Sequence, residues 1–157
     1  MRSKPPTAAI KAVFGSWFDA LVGSGVLESG ARQNVRGVQC HARDGHLCFS
    51  LGEKTIDDIL FNMGLRHERE PSYPESALRA DFKVGGMLVE YFGLAGNPDY
   101  DEKTKMKLEL AQRHHLRLLS IYPRDLADAK RLESKFSILR GKLSKRAVCQ
   151  RRRNNAV

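Results

Sequence analysis

Residues 78–92 read LRADFKVGGMLVEYF, and their pattern decides the fold. Residues 78–84 alternate between apolar and polar side chains, the two-residue period of a half-buried strand. Gly85-Gly86 supplies a turn, and Met87 to Phe92 is a more continuously apolar strand, so the stretch is expected to be a hairpin. Asp81 is expected mid-strand and Glu90 near the end of the next strand, where a tight hairpin brings both carboxylates to one end of a sheet. Two converging carboxylates repel each other and any phosphate, and a hard divalent cation between them relieves that repulsion.

Upstream, Ser50 precedes Glu53 by three positions, a capping-box spacing, and Ile56, Ile59, Leu60 and Met63 follow at helical intervals up to Gly64. This predicts a helix of about three turns carrying Glu53 near its start. Residues 65–70 read as a strand ended by Pro71, with a Pro-containing loop at 72–76. Before the helix, Val38 to Ala42 and Leu47 to Ser50 flank an Asp44-Gly45 turn and predict a short hairpin. Residues 23–37, rich in Gly, Ser and polar side chains, read as a linker. Residues 8–22 place Ile10, Val13, Phe14, Trp17, Phe18, Leu21 and Val22 at helical spacing, with a break at Gly15-Ser16.

Downstream, Gly93 to Asp99 reads as a loop. Asp101 to His114 is a helix candidate with acids at its start and bases at its end, as the helix dipole favours. Leu116 to Tyr122 is a further apolar strand closed by Pro123, and Asp125 to Leu139 reads as a last helix. The core order is therefore helix, three strands, helix, strand, helix, an α/β layer architecture.

The order of Glu53 on a helix, Asp81 on a strand and Glu90 on the following strand resembles the PD-(D/E)xK, or restriction-endonuclease-like, nuclease superfamily. Over about residues 50–126, SLGEKTIDDILFNMGLRHEREPSYP, RADF, VEYFG, YDEKTKMK and LLSIYP resemble its subset of very short patch repair-like, phage and mobile-element (homing-type) endonucleases. The resemblance implies an α/β restriction-endonuclease-like core, a mixed central β-sheet flanked by helices, over residues 38–140. It also implies metal ligation by Asp81, Glu90 and the Tyr91 carbonyl, with Glu53 as an outer or second-metal ligand and Glu70 as a weaker addition. The expected cofactor is Mg²⁺, with Mn²⁺ able to substitute and no organic cofactor. A bound Mg²⁺ would polarise a phosphodiester and lower the pKa of a water. The family's lysine, two residues after the second carboxylate, falls here on Phe92. Lys103 and Lys107, one helical turn apart on the next helix, are candidates to replace it, with Lys105 on another face. The alternative is that these lysines form a solvated helix face and the fold is an inactive nucleic-acid-binding module.

Composition fits that reading. The chain of 157 residues carries a formal charge of +9. Its pI near 9.7 favours a polyanionic partner, here DNA. Arg79, Lys105 and the tail residues Arg151, Arg152 and Arg153 are candidate nucleic-acid contacts, residues 141–157 forming a basic C-terminal tail. No apolar run approaches the roughly 18 residues of a membrane span. With no secretory signal apparent, an intracellular location, cytoplasmic or nucleoid-associated, is expected. Cys40, Cys48 and Cys149 are too few and odd in number for a disulfide framework. Cys40, His46 and Cys48, with His41 nearby and His67 recruited, invite a zinc reading, against which stands the pairing of two buried cysteines across a hairpin. Within residues 1–29, FGSWFDALVGSGVL resembles the end of a homing-endonuclease-associated repeat, a helical DNA-binding module. The alternative is an amphipathic helix packing Phe14, Trp17 and Leu21 onto the core or a second subunit. The functional expectation is a Mg²⁺-dependent DNA endonuclease of a phage, mobile element or repair system, acting as a homodimer if it breaks both strands. A junction resolvase shares the chemistry.

Overall fold

The computed structural model describes residues 6–34 and 37–139, so the basic tail with Arg151, Arg152 and Arg153 lies outside the described residues. The protein is mixed α/β, with two sheets and six helices among the described residues. Helices α1 (Thr7–Phe14) and α2 (Trp17–Gly23) are separated where expected, at Gly15-Ser16. Ser16 caps α2 by accepting the Asp19 N–H at 3.0 Å. A three-stranded antiparallel sheet follows, of β1 (Arg32–Asn34), β2 (Gly37–His41) and β3 (Leu47–Cys48). Strand β1 lies inside the stretch read as a linker. Its residues are Arg, Gln and Asn, all exposed, so no apolar alternation marks it.

The second sheet contains β4 (His67–Arg69), β5 (Phe82–Val84), β6 (Met87–Tyr91) and β7 (Arg117–Ile121), in spatial order β4-β5-β6-β7. The first three are antiparallel, and β7 runs parallel to β6 after helix α4 (Pro98–Arg113) crosses over. Helix α3 (Leu51–Asn62) precedes this sheet. The Ser50 half of the expected capping box forms, its hydroxyl accepting the Glu53 N–H at 3.1 Å, but the Glu53 carboxylate takes the N–H of Phe49 at 3.2 Å instead of that of Ser50.

Several boundaries differ from the expected ones. Asp81 directly precedes β5 and is not mid-strand, because regular pairing starts only at Phe82. Helix α4 starts three residues early, at Pro98, where Asn97 caps it by accepting the Tyr100 N–H. The single helix expected over 125–139 is two: α5 (Pro123–Leu126) and α6, over 129–139. Asp128 causes the break, its carboxylate accepting the N–H groups of Lys130 and Arg131 to begin a new helix.

The two faces of the main sheet are sorted by strand alternation. Val84, Met87 and Val89 pack with Ile56 and Leu60 of α3 and with Leu132, Phe136 and Leu139 of α6. Leu88 instead packs with Ala111 of α4 and with Tyr73 and Ala80 of the loop before β5. Each such side chain, once fully buried, contributes about 1.5–3 kcal/mol. Glu90 shares the parity of Leu88 and is therefore turned toward the α4 side. At the other end, Phe18, Leu21 and Val22 pack against Leu27, Cys40 and Cys48. Leu21 is thus packed as the amphipathic reading required, but Phe14 and Trp17 are 45% and 52% exposed. No helix of the described residues is long and apolar enough to cross a membrane.

Candidate active site

A pocket of about 380 Å³ opens at the end of β6 and is lined by Glu53, Asp81, Glu90, Tyr91, Tyr100 and Lys107, among others. Three elements and one loop end supply these groups. Helix α3 brings Glu53, the residue before β5 brings Asp81, β6 brings Glu90 and Tyr91, and α4 brings Tyr100 and Lys107.

Glu90 is 1% exposed, and its carboxylate is held on both sides. The Tyr73 hydroxyl donates to Oε1 at 3.0 Å, and the Lys107 ammonium sits 2.9 Å from each of Oε1 and Oε2. Lys107 arrives because it lies four residues before the buried Ala111 on the same face of α4. Half-buried Asp81 accepts the Tyr91 N–H on Oδ2 at 2.6 Å. Burial, then the neighbouring Glu53 charge, pushes the Asp81 carboxyl above its ordinary range. Burial, then the Asp81 charge, does the same to Glu90, even with Lys107 opposing. The pocket thus sets three carboxylates, Glu53, Asp81 and Glu90, against two cations, Arg69 and Lys107.

Glu53 is anchored by Arg69, whose Nη2 lies 2.8 Å from Oε2 and 3.0 Å from the Leu47 carbonyl. The Arg69 guanidinium lies 4.7 Å above the Phe82 ring. Tyr100 donates its hydroxyl proton to the Tyr91 carbonyl at 3.0 Å and accepts the Gly93 N–H at 3.1 Å. Burial pushes its phenol up to about 12. The Tyr91 ring fills space left by two glycines: a Cβ at Gly52 or Gly93 would collide with it.

The sequence candidates thus separate. Asp81, Glu90, Tyr91, Glu53 and Lys107 meet at one pocket. Lys103 is exposed and does not line it. Glu70 is exposed with φ 50° and also lies off the lining. Arg79 is exposed, and Lys105 is exposed beside Glu109 at 3.9 Å. Phe92, at the expected lysine position, is buried with its ring centroid 5.8 Å from that of Tyr122. Sequence reading missed Tyr73 and Arg69. Tyr73 stands between Pro71 and Pro74, and that proline pair marked only a loop.

Among the described residues neither Cys40 nor Cys48 joins a metal-ligating cluster, and Cys149 lies outside the described residues. Cys40 and Cys48 face each other across β2 and β3, are buried in the small apolar cluster, and burial pushes their thiols up to about 11 and about 12. His46 and His67 lie instead with Asp44 and Asp57 in a cluster able to hold a metal ion. Compared with known proteins, the chain matches no family model, no curated protein and no solved structure.

Proposed function

We propose that the protein is a metal-dependent DNA endonuclease of PD-(D/E)xK type, with a restriction-endonuclease-like core, whose lysine is delivered by α4. The observation that carries this reading is the Lys107 ammonium 2.9 Å from both oxygens of buried Glu90. It gives the pocket the positive group that Phe92 cannot supply. The order α3, β4-β5-β6, α4 and parallel β7 supports the same reading, since it is the helix, three strands, helix and strand read from the sequence, on which the resemblance rests.

The donor set fits a hard dication, being all oxygen and including three carboxylates. Asp81, Glu90 and the Tyr91 carbonyl would hold Mg²⁺, or Mn²⁺ in its place, and Glu53 would serve from the outer side. Bound there, the ion would act as a Lewis acid on the phosphodiester and lower the pKa of a water. The chain's own residues do the rest. Lys107 orients the attacking water and balances charge developing on the phosphate oxygens. Tyr73 and Lys107 fix the Glu90 rotamer, and Arg69 fixes Glu53, so the carboxylates need no rearrangement when DNA arrives. Tyr100 sets the Tyr91 carbonyl, and the Tyr91 ring between Gly52 and Gly93 shapes the pocket wall.

The charge of +9 supplies sequence-independent attraction to DNA phosphates, with Arg79 and Lys105 as exposed contributors. One such pocket cuts one strand at a time, so a double-strand break requires two copies of the chain. The test is cleavage of supercoiled plasmid and of a four-way junction in Mg²⁺, Mn²⁺ or EDTA. Metal-dependent cutting supports the proposal, and preference for the junction identifies a resolvase. Tight DNA binding with no cutting of either substrate in either metal identifies an inactive binding module.

A further inference from the structure

Away from the pocket, four side chains from three elements converge. Asp44 and His46 come from the turn between β2 and β3, Asp57 from α3 and His67 from β4, and one ligand atom from each lies within 4.8 Å of all the others. His46 Nδ1 is 3.0 Å from Asp44 Oδ2 and 3.2 Å from Asp57 Oδ2. His67 Nε2 is 3.3 Å from the same Asp44 oxygen and 3.0 Å from Asp57 Oδ1. A tetrahedral zinc ion with ligands at about 2.0–2.1 Å has edges of roughly 3.3–3.4 Å; the contacts of Asp44 Oδ2 with the two imidazoles are near that length, and the set of four, now within 4.8 Å, would close around the ion with one Asp57 oxygen turned inward.

Two features ask for a cation at the centre. Asp57 is 0% exposed, and among the described residues its side-chain hydrogen bonds run to the two imidazoles. His67 Nδ1 lies 2.9 Å from the Leu65 carbonyl, an acceptor only, so that nitrogen carries the proton. In the neutral ring this aims the Nε2 lone pair at two carboxylates. A carbonyl behind one nitrogen and an open lone pair on the other is the arrangement of a histidine metal ligand.

We propose that Asp44, His46, Asp57 and His67 form a structural Zn²⁺ site that staples the β2-β3 turn to α3 and β4. Two imidazoles select a borderline ion such as Zn²⁺ over Mg²⁺, and two carboxylates neutralise its charge. With four protein ligands the site is closed, and its role is to hold the hairpin on the core. The consequence reaches the pocket, because Arg69 two residues after His67 ties the Leu47 carbonyl of β3 to Glu53. The inference stands independently of the nuclease reading.

The test is metal analysis of the full chain, purified without a histidine tag, together with its thermal unfolding. About one Zn²⁺ per chain is expected, retained in Asp81→Ala and in Cys40→Ser but lost in His67→Gln and in the more exposed His46→Gln. A strong chelator is expected to lower the unfolding temperature of the wild type, with recovery on adding Zn²⁺ and none on adding Mg²⁺. His46→Gln keeps the buried pair Asp57 and His67, so loss of zinc from a chain that still unfolds cooperatively supports the site. A wild type that takes up no Zn²⁺ and unfolds at the same temperature with or without it would overturn the proposal, leaving an imidazolium–carboxylate cluster. Zinc that persists in both histidine variants but leaves with Cys40→Ser or Asp81→Ala would overturn it equally.

Discussion

Lys107 and Lys103 are one helical turn apart on the same helix, yet only Lys107 enters the pocket and contacts Glu90. Lys107→Met is expected to lower single-turnover DNA cleavage by about 10²–10³-fold with DNA affinity largely kept, the range typical of losing one positioned charge-stabilising group. Lys103→Met is expected to stay within about twofold, as surface changes away from a site usually do. Equal losses in the two variants would point to a shared phosphate contact and not to a group at the reacting atoms. Asp81 and Glu90 were legible because a hairpin pattern with a Gly-Gly turn places both near one sheet end. The choice between Lys103 and Lys107 was not, since helical spacing gives a face but not where the helix passes the sheet. Tyr73, Arg69 and Gly52 were illegible for another reason. Their roles arise from contacts across 17, 16 and 39 positions of the chain, which no local pattern encodes.

At the scale of elements, capping and turn chemistry carried most of the reading. The Ser50 cap of α3, the break at Gly15-Ser16 and the turn at Gly85-Gly86 all form where the residues dictate. Readings failed where a polar residue did unexpected work, as in the all-exposed β1 and at Asp128, which starts a helix inside an apparently continuous one. The preceding element shows what such acids contribute. Asp125 is fully buried, accepts the Tyr122 N–H at 2.9 Å and pairs with Lys135 at 2.7 Å and Arg131 at 3.3 Å. Burial works against the charged form, but these partners prevail and hold its carboxyl below the ordinary range. Its contribution is therefore complete above the unfolded value near about 4 and is lost as pH falls through the lower folded value. Asp125→Asn is expected to cost about 1–3 kcal/mol in urea unfolding at pH 7. The gap between variant and wild type should narrow as the pH drops below about 4. A gap that widens on acidification would contradict this account of α5 and α6.

Across the whole molecule, charge and architecture converge. A basic chain is arranged so that three acids, Glu53, Asp81 and Glu90, lie together at the end of β6, between α3 and α4. Charge was fully legible from composition, but composition alone does not separate a nuclease from a binding module; in the proposed reading the difference rests on the Lys107 ammonium delivered from α4. The most direct test of the central claim is the Mg²⁺-dependent rate of supercoiled plasmid nicking by wild type, Asp81→Ala and Glu90→Ala at matched DNA occupancy. The account predicts nicking by the wild type that EDTA abolishes and that neither variant retains. Nicking that persists in EDTA or survives both substitutions would place the chemistry elsewhere and contradict it.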